Sequence, residues 1–109
     1  SRIAIIDRSE PTGQRKVVAT FFSGGREAHG LWTNPNNKLL YVSHEQDELP
    51  GAPNAGQTVA TAFDVSDPFN PKFIAHIPLG SLKLPSGELR NKKSINLVYV
   101  RPGFRGQTA

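Results

Sequence analysis

The residues best suited to chemistry in this 109-residue chain are two histidines and the acids beside one of them. His29 opens the stretch His29-Gly30-Leu31-Trp32-Thr33. His44 follows Lys38-Leu39-Leu40-Tyr41-Val42-Ser43, with Glu45 and Asp47 just beyond it. Imidazole and carboxylate together suit a divalent transition metal. Two antiparallel strands joined by a tight turn are able to bring His29 and His44 together, so these two are the candidate metal ligands. A protein metal site usually takes three or four ligands, and the chain has 3 histidines in all. The plainer alternative is therefore a histidine hydrogen-bonded to backbone. His76 falls mid-strand and reads as a packed or edge residue.

Other chemistry finds little to stand on. Asp7 and Asp64 invite a catalytic pair, but each closes a strand in the same way. A carboxylate that recurs at strand ends accepts turn N–H groups. Gly24-Gly25 and Gly103-Phe104-Arg105-Gly106 lack the strand-to-helix setting of a phosphate loop. There is no cysteine, which excludes disulfides and thiolate chemistry, and no Ser, His and Asp arrangement is recognisable. The net charge is +4 with a pI near 9.8, yet the densest basic group, Arg90, Lys92 and Lys93, contains no aromatic. A nucleic-acid surface needs both, so no nucleic-acid partner is expected. No apolar run is long enough for a membrane span.

The elements that must position these residues are short strands. Ten glycines and nine prolines interrupt the chain and helical periodicity is nearly absent. Strands are expected over residues 2–7, 16–22, 29–33, 38–43, 58–65, 72–78 and 94–100. Asn34-Pro35-Asn36-Asn37 is a tight turn. Residues 45–57 form a loop, 81–93 are irregular, and 101–109 are a loose tail. Because residues 1–7 already read as a strand, no signal peptide is expected and the chain is expected to begin within something larger. With 37% hydrophobic residues and a mean hydropathy of −0.40, the core is expected to be small or completed by another surface.

The sequence also repeats. Ile3-Ala4-Ile5-Ile6-Asp7 lies over Ala60-Thr61-Ala62-Phe63-Asp64, with Pro11 and Pro68 four residues on. Val18-Ala19-Thr20-Phe21 lies over Ile74-Ala75-His76-Ile77, and Gly24 over Gly80. Leu39-Leu40-Tyr41-Val42 lies over Leu97-Val98-Tyr99-Val100. The three spacings are 57, 56 and 58 residues. Each unit reads as four strands, one antiparallel blade of a β-propeller. The period exceeds the roughly 40–50 residues of common blades, and the loop at 45–57 and the segment 81–93 account for the excess. The expected fold is all-β and antiparallel: about two propeller blades, in units 2–57 and 58–100. Fewer than about three such repeats seldom stand alone, so association or marginal stability is expected.

The segment His29-Gly30-Leu31-Trp32-Thr33-Asn34-Pro35-Asn36-Asn37-Lys38-Leu39-Leu40-Tyr41-Val42-Ser43 resembles the signature of the bacterial seven-bladed propellers with Tyr-Val-Thr-Asn repeats, the lactonase-like and redox propellers. That signature runs His-Gly, an apolar pair, a Pro-Asp-Gly-Lys turn, then Leu-Tyr-Val. Here Asn36-Asn37 replaces Asp-Gly, and Ser43-His44 replaces Thr-Asn. The resemblance implies a periplasmic or extracellular protein. It places His29 at the start of an innermost strand beside the central channel, where copper or haem iron is bound in some such propellers. Trp32, Phe21, Phe22, Phe63 and Phe73 are expected to fill space between blades.

Three readings follow. The first is a binding or scaffold module that presents loops such as 45–57 to a protein or small-molecule ligand, with the remaining blades of the same or another chain as partners. The second is part of a redox or hydrolytic propeller with a site in the channel. The third is an independent small β-sandwich.

Overall fold

The computed structural model describes residues 1–9, 11, 13–78 and 80–91. They form an all-β structure of antiparallel strands: β1 Arg2–Ile6, β2 Val17–Phe22, β3 Arg26–Thr33, β4 Leu39–Gln46, β5 Val59–Asp64, β6 Lys72–Pro78, β7 Ser81–Lys83 and β8 Leu89–Asn91. Strands β3 to β6 make one four-stranded sheet in chain order, while β1–β2 and β7–β8 are separate two-stranded sheets. The boundary between the two sequence units, at residues 57 and 58, lies inside the four-stranded sheet, between β4 and β5. Among the described residues no helix is long and apolar enough to cross a membrane.

Several boundaries differ from those expected. β3 starts at Arg26, so His29 lies mid-strand rather than at the strand's start. β4 runs on to Gln46, so His44 belongs to the strand and does not follow it. Both strands continue because Arg26 pairs with Gln46 and Ala28 with His44, beyond the apolar stretch that carries the sequence signal. Residues 81–93 also contain the short hairpin β7–β8, which polar composition conceals. The expected strand 94–100 and the tail 101–109 lie outside the described residues.

Local chemistry explains the turn between β3 and β4. The Asn34 side-chain oxygen accepts the N–H groups of Lys38 and Leu39 at 3.1 and 2.9 Å, and Asn37 N–H closes onto Asn34 O at 2.9 Å. Asn37 sits at φ 60°, in the left-handed region that asparagine enters more readily than most residues.

The two hairpins β1–β2 and β5–β6 are built alike. In the first, Ile3 faces Phe21 and Ile5 faces Ala19, then the register shifts and Ile6 faces Val17. In the second, Ala60 faces Ile77 and Ala62 faces Ala75, then it shifts and Phe63 faces Phe73. The irregularity falls at matching positions of the two strands. Each hairpin then ends in an aspartate whose Oδ1 accepts a backbone N–H two residues on, Ser9 to Asp7 at 2.8 Å and Ser66 to Asp64 at 2.9 Å. Hydrogen bonds from the serine hydroxyls and then these N–H groups hold both carboxyls below the usual carboxylate range. The aspartates do turn chemistry, as their recurrence implied.

The β1–β2 hairpin lies face-on against the four-stranded sheet. Ile3, Leu40, Val42 and Phe63 form the buried cluster, with Phe21, Ala28 and Val65 packed on it. The Phe21 and Phe63 rings meet edge-on at 4.8 Å, and Phe63 meets Phe73 at 5.8 Å. Of the aromatics expected between blades, these three cluster in this way. Phe63 is 3% exposed and touches both hairpins. Phe63→Ala is expected to destabilise the chain by about 3–5 kcal/mol in a denaturant melt. Phe69→Ala, at a residue 69% exposed, is expected to change stability by no more than about 0.5 kcal/mol.

Candidate functional site

The chain passes from the hairpin to the sheet through Ser23, Gly24 and Gly25, and the side chains of His44, Thr61 and His76 converge on these three residues. Ser23 N–H donates to Ser1 O at 2.9 Å, which extends the β1–β2 ladder by one pair. The Thr61 hydroxyl donates to Ser23 O at 2.6 Å. His76 Nε2 lies 2.9 Å from Gly24 O and donates to it. His44 Nδ1 lies 2.8 Å from Val59 O, and its Nε2 lies 3.0 Å from Ser23 Oγ. A carbonyl only accepts, so Nδ1 carries the proton, and Nε2 of the neutral ring accepts from the Ser23 hydroxyl. Gly25 O, 3.2 Å from the same Oγ, shares that hydroxyl proton.

The two glycines are required by closeness. A Cβ on Gly25 would stand 2.7 Å from the His44 ring carbons, and one on Gly24 would stand 2.6 Å from Thr61 Cγ2. Gly24 also has φ of 85°, which costs an ordinary side chain further strain. The histidine, the threonine and the glycines therefore form one fitted set.

A serine hydroxyl on an imidazole whose other nitrogen is oriented by an acceptor has the geometry of a nucleophile and its general base. Access decides against that use. Ser23 and His44 are both 0% exposed, and the Gly25 backbone packs against the imidazole. The arrangement holds backbone to backbone. Burial pushes the His44 imidazole below its ordinary value of 6.5, although its bond to Val59 O and the nearby Glu48 carboxylate oppose the shift. Ser43, Thr58 and Thr61 are also buried, and Thr58 Oγ1 is without a hydrogen-bond partner among the described residues.

His29 lies elsewhere. Its Nδ1 is 2.8 Å from Glu45 Oε1, with both side chains substantially exposed. Glu45 follows His44 along β4, and successive strand residues point to opposite faces. The His29–Glu45 pair is thus on the other face of the sheet from the His44 ring. The strands do bring His29 and His44 into neighbouring positions, but the irregularity between Ala28 and Gly30 turns the imidazoles apart. His44 has no ring nitrogen left for a metal, and among the described residues no group of three or more His, Asp or Glu side chains is placed to hold one. In this arrangement the pair does not fit a copper or haem-iron site. Asp47 contributes its backbone instead, its carbonyl accepting from the Arg26 guanidinium at 2.7 Å.

The sequence offered little warning of Ser23, Thr61 and His76. The one signal was the Gly24-Gly25 pair after an aromatic strand, since adjacent glycines mark a backbone that something approaches closely. Comparison with protein-family models, with curated proteins and with solved structures gives no match.

Two outcomes follow from the connector. Because His44 is held below 6.5 in the fold, the unfolded chain binds more protons in that window. Stability is expected to be full above pH 6.5 and to fall as pH drops through the folded value; His44→Gln should be less stable at pH 8 and show a flatter pH profile. An unchanged profile in that variant would contradict the assignment. Gly25→Ala forces a methyl against a pinned ring and should cost about 1–3 kcal/mol in a thermal or denaturant melt.

Proposed function

We propose that the chain is a stretch of a β-propeller that works as a binding and scaffold module, with the four-stranded sheet β3–β6 as one blade and the β1–β2 hairpin as the outer half of its neighbour. The likeness of the two hairpins carries this reading. Ile3, Ile5, Ala19 and Phe21 of the first correspond to Ala60, Ala62, Ala75 and Ile77 of the second. The first set is the face by which the hairpin packs on the sheet. The second set therefore belongs to a face built to stack on a further sheet in the same way. That face continues across the sheet as the row Trp32, Tyr41, Ala62, Ala75, and Trp32 and Ile77 are each 43% exposed.

The loop between β4 and β5 supports the binding side of the reading. Glu48 N–H donates to Gln57 O at 3.0 Å, Gly56 N–H to Glu48 O at 2.9 Å, and Ala55 N–H to Ala52 O at 3.2 Å. Leu49 stands 56% exposed on it. A loop closed by its own backbone bonds loses little freedom on binding, and so presents a surface at low entropic cost. The buried Ser23–His44 pair, sealed from solvent, favours structure over reaction.

Trp32 is the only tryptophan and reports on the stacking face directly. The purified chain is expected to self-associate in sedimentation runs, with Trp32 emission shifting to the blue as concentration rises. Ile77→Ser should weaken both effects. A monomer at every concentration, with solvent-like Trp32 emission throughout, would contradict the reading.

A further inference from the structure

The edge of β1 away from β2 borders an apolar groove. Among the described residues β1 pairs with β2 alone, whereas its counterpart β5 lies between β4 and β6. Ser1 and Ser23 form a hydrogen-bonded pair. Bonded and non-bonded pairs alternate along an antiparallel ladder, so Ile3 and Ile5 bond to β2, and Arg2 and Ala4 direct their N–H and C=O groups to the open edge. Beside that edge lies a groove of about 320 Å³ whose walls include Ile3 and Ile5 of β1, Leu31 and Thr33 of β3, Leu40 of β4, and Val65. Its floor is the same sheet face that the hairpin already covers, with Leu40 common to the groove and the buried cluster.

We propose that this edge and groove form an acceptor site for one antiparallel peptide strand with the residue pattern of β4. The proposal rests on the blade reading above, and the pairing of β4 with β5 supplies the occupant. Tyr41 faces Ala62, Ser43 faces Ala60 and Leu39 faces Asp64. Carried to β1, the added strand sets a leucine opposite Asp7, a tyrosine opposite Ile5 and a small residue opposite Ile3. These three side chains alternate with residues that point away, and they are the ones directed into the groove. The equivalent backbone bonding agrees: Val65 N–H donates to Lys38 O at 2.8 Å, so by alternation Thr61 bonds to β4, and Thr61 corresponds to Ala4. Main-chain bonds thus supply affinity, and the tyrosine in the groove supplies selectivity.

The test is fluorescence anisotropy of a labelled synthetic peptide of residues 38–46 titrated with the intact chain. Saturable binding is expected. Tyr41→Asp in the peptide should weaken it at least about tenfold, while Val42→Thr, on the side facing away, should change it by less than about threefold. Leu31→Asp in the chain, at a residue 44% exposed, should abolish binding without unfolding the protein, and Ala4→Pro should do so by removing an edge donor. Absence of saturable binding, equal affinity of all peptides, or binding indifferent to Leu31→Asp would overturn the acceptor site. If Trp32-reported association persists while the peptide fails to bind, the strand site falls and the blade reading stands. Loss of both removes both.

Discussion

Everything in this structure depends on the three-residue connector Ser23-Gly24-Gly25 being held from three strands at once. His44 comes from β4, Thr61 from β5 and His76 from β6, and each bonds to the connector, His44 holding Val59 O of β5 as well. The hairpin β1–β2 has only Ile3 and Phe21 to offer the buried cluster, and a two-stranded hairpin alone is marginal in water. Its position on the sheet is fixed because the chain leaving it is tied down within a few residues. The polar bonds set the hairpin's orientation, and the apolar cluster then gains from it. Buried polar groups are costly unless paired, so removing any one partner penalises the others.

The same constraint explains how a chain with modest apolar content is distributed. Only six hydrophobic residues are buried among those described, and much of the rest is exposed: Ile6, Val17 and Phe22 on the hairpin, Trp32 and Ile77 on the sheet. In an isolated sandwich such residues face inward. They belong, on the proposed reading, to faces that further sheets cover, as a stack of similar sheets divides its hydrophobic surface. On the proposed reading the apolar surface is sufficient when summed over neighbours and insufficient in any one unit.

Much of the fold was legible in the sequence because period-two alternation and turn residues are local signals. Asn34-Pro35-Asn36-Asn37 and the Asp7 and Asp64 turns declared themselves through side chains that bond within a few residues. The extents of β3 and β4 were less legible, since Arg26 and Gln46 join the ladder through cross-strand pairing without apolar side chains to mark it. Residues 81–93 read as irregular for the same reason. The site was read only in part. His44 was named as a candidate metal ligand with a bond to backbone as the plainer alternative, and its actual partners Ser23 and Val59 were hidden because they lie 21 and 15 residues away and meet it only in the assembled fold. His29 kept an acidic neighbour, Glu45, and the local irregularity in β3 set the two histidines on opposite faces.

Native-state hydrogen exchange measures most directly whether the hairpin and the sheet are one unit. If the connector joins them as described, the amides of Ile3, Phe21 and Ser23 exchange with protection within about tenfold of those of Val42 and Phe63, since all open in the same event. Hairpin amides that exchange orders of magnitude faster than the sheet's would show that the hairpin comes away on its own, and would contradict the account.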